Sequence, residues 1–377
     1  MINLKGMTWD HPRGYDPLVA TSEIFKKINN NSISITWDKR PLQAFADRPI
    51  QNMINDYDLI VIDYPHVGEV SANGLLESFS KPEYTEQLAK LLNESVGDSH
   101  LSYFIDNHQW ALAIDAATQV AVYRKDLLGQ PPSTWNEFVE LCKNKKVLWP
   151  LKPIHAISSF YSIYNNISKS RKEYQKKFCE KKIAIKTLMM MQNVIKYLPN
   201  ECLTMDPIQT CEYMAENKDI YYCPYIYGFS NYSRNRFRKN VLFFTNVLDL
   251  SGMGPIGTQL GGTGIAVSSK SHFKKKAIEY AFWIASSECQ RDSYYINGGQ
   301  PGNAIAWEDN NINNETNNFF SGTRDTLEGA WVRPKHNGYM KFQDIGGDII
   351  NDFLKNNLKE EEIYDKLEYE FNKSFVE

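Results

Sequence analysis

GGTGIAVSSKSHFKKKAIEYAFWIASSECQ, residues Gly261–Gln290, is the stretch whose reading decides the fold. Its glycine-rich entry opens onto a short strand-like run, Ile265–Ser268, and Ser269–Ser271 break the pattern. Ala277, Ile278, Ala281, Phe282 and Ala285 then recur at the spacing of one helical face. A strand that runs into an amphipathic helix in this way is the repeating unit of an α/β protein.

The N-terminus repeats that unit. Leu4–Trp9 reads as a strand, Asp10–Gly14 as a polar turn, and the chain from near Pro17 as a helix carrying Ile24, Phe25 and Ile28. Ser32–Trp37 alternates apolar and polar residues, Pro41 opens a helix to about Asn55, and Asp58–Asp63 is the continuous apolar run of a strand buried on both faces. This β-α-β-α-β order predicts a parallel sheet with right-handed crossovers. Ligands collect beyond the carboxyl ends of such strands. The residues there are Asp10, His11, Pro12 and Arg13, then Asp38, Lys39 and Arg40, then Tyr64, Pro65 and His66. A pure core would need none of these polar and ring-bearing groups.

Further along, Trp110–Ile114 and Gln119–Tyr123 read as two strands flanking Asp115–Thr118, and Val147–Leu151 as another. Thr134 and Glu137 form the signature of a capping box. Ile154–Ile167 reads as a helix, and the basic stretch Asn165–Lys196 as helical throughout. Cys223–Tyr232 reads as a ring-rich loop, Asn310–Asn318 as an exposed one, and the tail from Phe342 as two amphipathic helices.

Composition bounds the function. The 377 residues suffice for two domains, each with its own core. Lysine and arginine number 42 against 45 acids, so no positive excess exists to hold nucleic acid. The 22 Tyr, 19 Phe and 8 Trp fill a core or stack on the apolar faces of sugars and heterocycles. No run reaches the roughly 18 apolar residues of a membrane span. The start, Met1–Met7, lacks the pattern of a secretory signal. The sequence as written therefore predicts a cytoplasmic chain, or a periplasmic or extracellular one if a leader has been removed. The six cysteines form no C-x-x-C pair and read as buried thiols, leaving no metal site and no cofactor to expect. Gly257–Gly264 lacks the Gly-Lys-Ser/Thr ending of a phosphate-binding loop and does not precede a helix.

Four motifs then stand in a telling order: Gln109–Leu128, Pro131–Phe138 with its PPSTW start, Tyr225–Tyr232, and Gly261–Gln290 together with Gly298–Pro301. In this wording and order the chain resembles the bacterial extracellular solute-binding proteins of ABC importers, family 1, carbohydrate type. The resemblance spans nearly the whole sequence. It implies a two-lobed periplasmic-binding-protein type II α/β fold with discontinuous lobes joined by a strand hinge, each lobe built on a mixed five-stranded sheet. Lobe 1 would hold residues 1–110 and 260–305, and lobe 2 residues 111–259 and 306–377. A small polar ligand would lie between them, a sugar or an acidic or zwitterionic metabolite. The partners implied are that ligand and an ABC permease, with the chain a monomer and no nucleic acid involved.

The residues expected to meet the ligand are Trp9, Asp10, His11, Arg13, Trp37, Arg40, Asp63, His66, Asp115, Tyr225, Tyr227, Gly261, Gly262 and Arg333. Each has a plainer reading. Trp9 and Trp37 suit a core equally well, and Asp10 and Asp63 suit caps. Gly261 and Gly262 suit a tight turn. Tyr225, Tyr227 and Tyr232 suit packing, and Arg333 suits an internal ion pair. An alternative function is an enzyme on the same scaffold, with His11, His66 and Asp115 as acid-base groups near neutral pH. For a binding protein no catalytic residue is expected.

Overall fold

The computed structural model describes residues 1–41, 49–169, 177–356 and 358–375. Its main strands are β1 (Ile2–Trp9), β2 (Ile33–Arg40), β3 (Leu59–Ile62), β4 (Leu112–Tyr123), β5 (Tyr222–Tyr227), β6 (Phe243–Thr245) and β7 (Leu260–Val267). The helices that matter for the argument are α1 (Pro12–Ile28), α2 (Trp135–Lys143), α3 (Pro153–Ser168), α4 (Lys181–Ile195), α5 (Lys274–Ala285), α6 (Asn310–Glu315), α7 (Tyr339–Asn356) and α8 (Glu360–Lys373). The chain divides into two compact units. Unit 1 is Met1–Ala116, Gly261–Asp309 and Lys335–Asn337; unit 2 is Ala117–Leu260, Asn310–Pro334 and Gly338–Glu377. The chain thus leaves unit 1 inside β4 and returns at the start of β7.

In unit 1, β1 pairs in parallel with β2 from Ile2↔Ile33 to Trp9↔Arg40, and with β3 at Gly6↔Leu59. β7 runs antiparallel to β3, from Leu59↔Val267 to Ile62↔Gly264, and the first half of β4 lies beside β7. The result is the expected mixed sheet, in the order β2-β1-β3-β7-β4. β3 is buried along its whole length, as a strand covered on both faces must be. α1 and α5 pack beside one another, where the Tyr280 hydroxyl lies 2.9 Å from Thr21 Oγ1. Trp37 belongs to this core. Its indole N–H donates to Ser22 Oγ at 2.8 Å, and a Cβ on Gly6 would sit 2.4 Å from its ring.

Gly262 shows why β7 begins with glycines. Its φ is +109°, and an added Cβ would lie 2.3 Å from the Asp115 carbonyl oxygen. The glycine thus serves a close strand-to-strand approach. Gly262→Ala combines a left-handed backbone with a backbone clash and should cost about 2 kcal/mol, read as a lower midpoint in equilibrium urea unfolding.

In unit 2, β4 continues antiparallel to β5, Gln119↔Tyr227 to Tyr123↔Tyr222, with a bulge between Val120 and Val122; β6 pairs at Tyr123↔Phe243. Here the expectation of five full strands needs correcting among the described residues. Val147–Leu151 contributes only a bridge, Val147↔Tyr222, because the Trp149 N–H turns to Cys202 Sγ and Pro153 starts α3. α7 crosses α3 closely. A Cβ on Gly347 would stand 2.7 Å from the Pro153 carbonyl oxygen, so the glycine lets the two backbones approach.

Other local expectations also need correction. The two strands expected around Asp115–Thr118 are one, β4. The Ala116 N–H donates to the Gln300 carbonyl at 3.3 Å and the Gln300 side chain donates back at 2.8 Å, so the backbone is held extended across the aspartate. Tyr222–Tyr227 is a strand rather than part of a loop. The asparagine-rich stretch opens with α6, where buried Asn313 accepts the Ser321 N–H at 2.8 Å. α3 ends at Ser168 with Lys169 in the left-handed region (φ 59°), and α4 begins at Lys181; the part of the expected helix over 170–176 lies outside the described residues. Most of the helix expected after Pro41 falls outside the described residues; Ile50–Asn52 is a single 3-10 turn. The Thr134 hydroxyl caps α2, accepting the Glu137 N–H at 3.2 Å. All six cysteines are buried free thiols.

Candidate functional site

The carboxyl end of β1 in unit 1 brings together four of the predicted residues. His11 caps α1, its Nδ1 accepting the Arg13 N–H at 3.1 Å, so that nitrogen carries no proton. The imidazole stacks on Trp9 with ring centroids 5.4 Å apart and planes 7° apart, and the Arg13 guanidinium lies 5.9 Å from the Trp9 ring centre. Arg13 then reaches across to β4. Its Nε donates to Asp115 Oδ2 at 2.7 Å, and its Nη2 pairs with Oδ1 of the same carboxylate. Both side chains are almost fully buried, 4% and 1% exposed. Burial pushes the Asp115 carboxyl above its ordinary range, while the Arg13 charge and its hydrogen bonds pull it down. A two-pronged arginine–carboxylate pair is the strong, directional form of this contact.

The remaining predicted residues of unit 1 are placed differently. Asp10 is exposed and pairs with Lys39 at 2.7 Å. Asp63 caps the turn Tyr64–His66, its Oδ1 accepting the Tyr64 N–H at 2.9 Å. His66 is buried, with Nδ1 3.8 Å from Glu69 Oε2. Arg40 is buried at the end of β2, and its carbonyl accepts the Asp10 N–H at 2.8 Å. Trp37 is taken up by the core, Gly262 by the approach to Asp115, and Gly261 by β7 beside it.

In unit 2, Tyr225 is core: it is buried against Trp149 at 5.7 Å between ring centroids, and burial raises its phenol pKa. Arg333 is buried and donates to Gln343 Oε1 at 2.8 Å. Tyr227 differs from both. Its ring edge meets His155 at 6.2 Å, and its hydroxyl accepts from Gln259 Nε2 at 2.9 Å. Gln259 also donates to Ser158 Oγ at 2.9 Å, while its N–H donates to Ser162 Oγ at 3.0 Å. Ser162 donates to Gln119 Oε1 at 2.6 Å, and the Trp149 indole donates to Ser159 at 3.0 Å. His155, in the first turn of α3, is only partly covered, but burial and then Lys152 push its imidazole down to about 3. It is therefore neutral at physiological pH.

His155, Ser158, Ser159, Ser162 and Gln259 were not among the predicted site residues. The signal for the serines lay in the spacing 158, 159, 162, 165 and 166, where small polar residues share one face of an otherwise apolar helix. Among the described residues no group of three or more His, Cys, Asp or Glu is arranged to hold a metal ion. A cavity of about 740 Å³ in unit 2 is lined by residues such as Tyr164, Phe178, Lys181 and Tyr364, and includes none of the residues above.

No protein-family model and no curated protein matches the sequence. Solved structures do match in fold. An ABC transporter solute-binding protein from Agrobacterium radiobacter K84 in complex with ribitol superposes with a TM-score of 0.80 at 19% identity, covering 99% of this chain and 98% of its own. The maltose-bound MalE3 of T. maritima gives 0.81 at 17% identity, covering 99% and 100%. A solute-binding protein from Thermotoga lettingae TMO bound with alpha-D-tagatose gives 0.79 at 16%, covering 100% of both chains. The chain thus has the two-lobed α/β fold of these ABC-transporter solute-binding proteins, with discontinuous lobes through which the chain passes along β4 and β7.

Proposed function

We propose that this chain is the substrate-binding component of an ABC importer, of the carbohydrate type, and that it takes a small polyhydroxyl ligand to a membrane permease. The observation that carries this reading is the match in fold over 98–100% of both chains to solute-binding proteins holding ribitol, maltose or tagatose. Each unit, taken by itself, offers candidate ligand contacts: Trp9, His11, Arg13 and Asp115 in unit 1, and His155, Tyr227 and Gln259 in unit 2. They combine ring faces with hydrogen-bonding groups, the mixture that sugar recognition requires.

Of the residues that suggested an acidic ligand, His11, Arg13, Arg40 and His66, Arg13 pairs with the Asp115 carboxylate, and His66 Nδ1 lies 3.8 Å from Glu69 Oε2. Catalysis gains no support, because Asp115 is committed to Arg13 and His11 Nδ1 to the Arg13 backbone.

Isothermal titration of the purified chain with ribitol, mannitol, tagatose, maltose and maltotriose tests the reading. Saturable binding of one molecule per chain to at least one of them is expected. A folded chain that binds none of them contradicts it. His155→Ala should weaken the tightest binder about five- to tenfold, the worth of one neutral hydrogen bond. Because His155 stays neutral well above a pKa of about 3, its contribution should be flat from pH 5 to 8. A steep change across that range would remove it from the site.

A further inference from the structure

We propose that Gln119 is a positioning residue for the candidate ligand contacts of unit 2, fixing Gln259 through Ser162 so that its amide oxygen is the atom offered to a ligand hydroxyl. This rests on the function proposed above and goes beyond it, from the candidate contacts to the buried residue that holds one of them in place. Gln119 is completely buried on β4, and Tyr227 of β5 is its register partner. A side-chain amide removed from water needs its polar atoms paired. The partners here come from α3: Ser162 donates to Gln119 Oε1 at 2.6 Å, and Gln119 Nε2 donates to Ser159 Oγ at 3.2 Å. The lengths decide which end of the amide is which, because 2.6 Å suits O–H···O and is short for N–H···O.

The direction of the remaining bonds follows from single protons. Ser162 commits its one proton to Gln119, so its oxygen is turned to accept the Gln259 N–H at 3.0 Å. Thr118, next to Gln119 on β4, donates to the Gln259 carbonyl at 3.0 Å, so both backbone groups of Gln259 are held. Ser158 gives its proton to the Ile154 carbonyl at 2.7 Å and can therefore only accept from Gln259 Nε2, at 2.9 Å. The second Nε2 proton goes to the Tyr227 hydroxyl, also at 2.9 Å. With both N–H groups used, Oε1 is the atom Gln259 has left to offer, an acceptor suited to a ligand O–H. Without Gln119, the Ser162 proton can turn to a carbonyl of its own helix, and the Gln259 backbone loses the anchor that aims the side chain.

The test is isothermal titration at pH 7, with the tightest binder among ribitol, mannitol, tagatose, maltose and maltotriose as the probe. Gln119→Met, similar in length but without polar atoms, should weaken that binder about fivefold or more, the worth of one neutral hydrogen bond. Gln259→Met should weaken it at least as much. Adding Gln119→Met to Gln259→Met should then change affinity less than about twofold, because the first residue acts only through the second. An equal fall in both backgrounds would make Gln119 a general structural residue and overturn the inference. Wild-type affinity in Gln119→Met would overturn it too. Wild-type affinity in Gln259→Met would overturn it while leaving the binding function standing. If wild type binds none of the five sugars, the proposed function fails and this inference with it. Should Gln119→Met not fold, Ser162→Ala, which removes only the connecting hydroxyl, decides the matter by the same cycle.

Discussion

Arg13→Ala is expected to lower the stability of the protein by about 3–5 kcal/mol at pH 7.5, the cost of leaving one partner of a buried ion pair without its counter-charge. The residue left behind is Asp115, almost fully buried. Burial already raises its carboxyl pKa in the intact pair, with Arg13 opposing that rise. Removing the arginine removes the opposition, so the folded-state pKa climbs further above the unfolded value. A carboxyl with a raised folded pKa binds more protons in the native state than in the unfolded one. Stability is then highest below the unfolded pKa and is lost as pH rises through the folded one. The deficit of the variant relative to wild type should accordingly grow from pH 5 to pH 7.5 in urea unfolding. Arg13→Ala/Asp115→Ala, lacking both charges, should recover part of the loss and show a flatter profile. A deficit equal at both pH values would mean that Asp115 finds another counter-charge.

That pair also marks the limit of what could be read in advance. The three N-terminal strands and their parallel order were legible because alternation in Ser32–Trp37 and the apolar run in Asp58–Asp63 are local signals. The cluster of Trp9, His11 and Arg13 after β1 was legible for the same reason: position after a strand is a property of the sequence. Arg13 and Asp115 were each singled out, but as separate ligand contacts, since no local pattern joins residues 102 apart. Asp63 and Trp37 were ambiguous because a cap and a ligand contact, or a core ring and a stacking ring, call for the same residue type. Only the partners, Tyr64 N–H and Ser22 Oγ, decide between them. Locally, an aspartate such as Asp115 disfavours a strand. The counter-charge and the Gln300 side chain that overrule this preference come from elsewhere in the chain. The five polar positions along α3 were the one legible signal left unused.

Trp331 carries the second large effect, and it concerns how unit 2 holds the end of its returning chain. The residue is completely buried, with its ring 4.6 Å from that of Tyr161 on α3. Its backbone N–H donates to the Thr258 carbonyl at 2.7 Å, and its carbonyl accepts the Leu260 N–H at 2.9 Å. The side chain thus anchors the strip that carries Gln259, whose side chain holds Tyr227 and Ser158. Trp331→Ala should cost about 3–5 kcal/mol, transfer and cavity terms together. It should also weaken ligand binding, because Gln259 loses the backing that fixes it. Trp331→Phe should behave differently from an ordinary tryptophan truncation. The indole N–H is buried without a hydrogen-bond partner among the described residues, so the native state already carries its desolvation cost. Phenylalanine removes that group along with part of the ring, and the two effects oppose one another. The loss should therefore stay near 1 kcal/mol, with affinity close to wild type. Urea unfolding of both variants, followed by titration with the tightest sugar, separates the cases. A Trp331→Phe variant as unstable as Trp331→Ala would show that the indole N–H is satisfied in solution, most simply by a buried water.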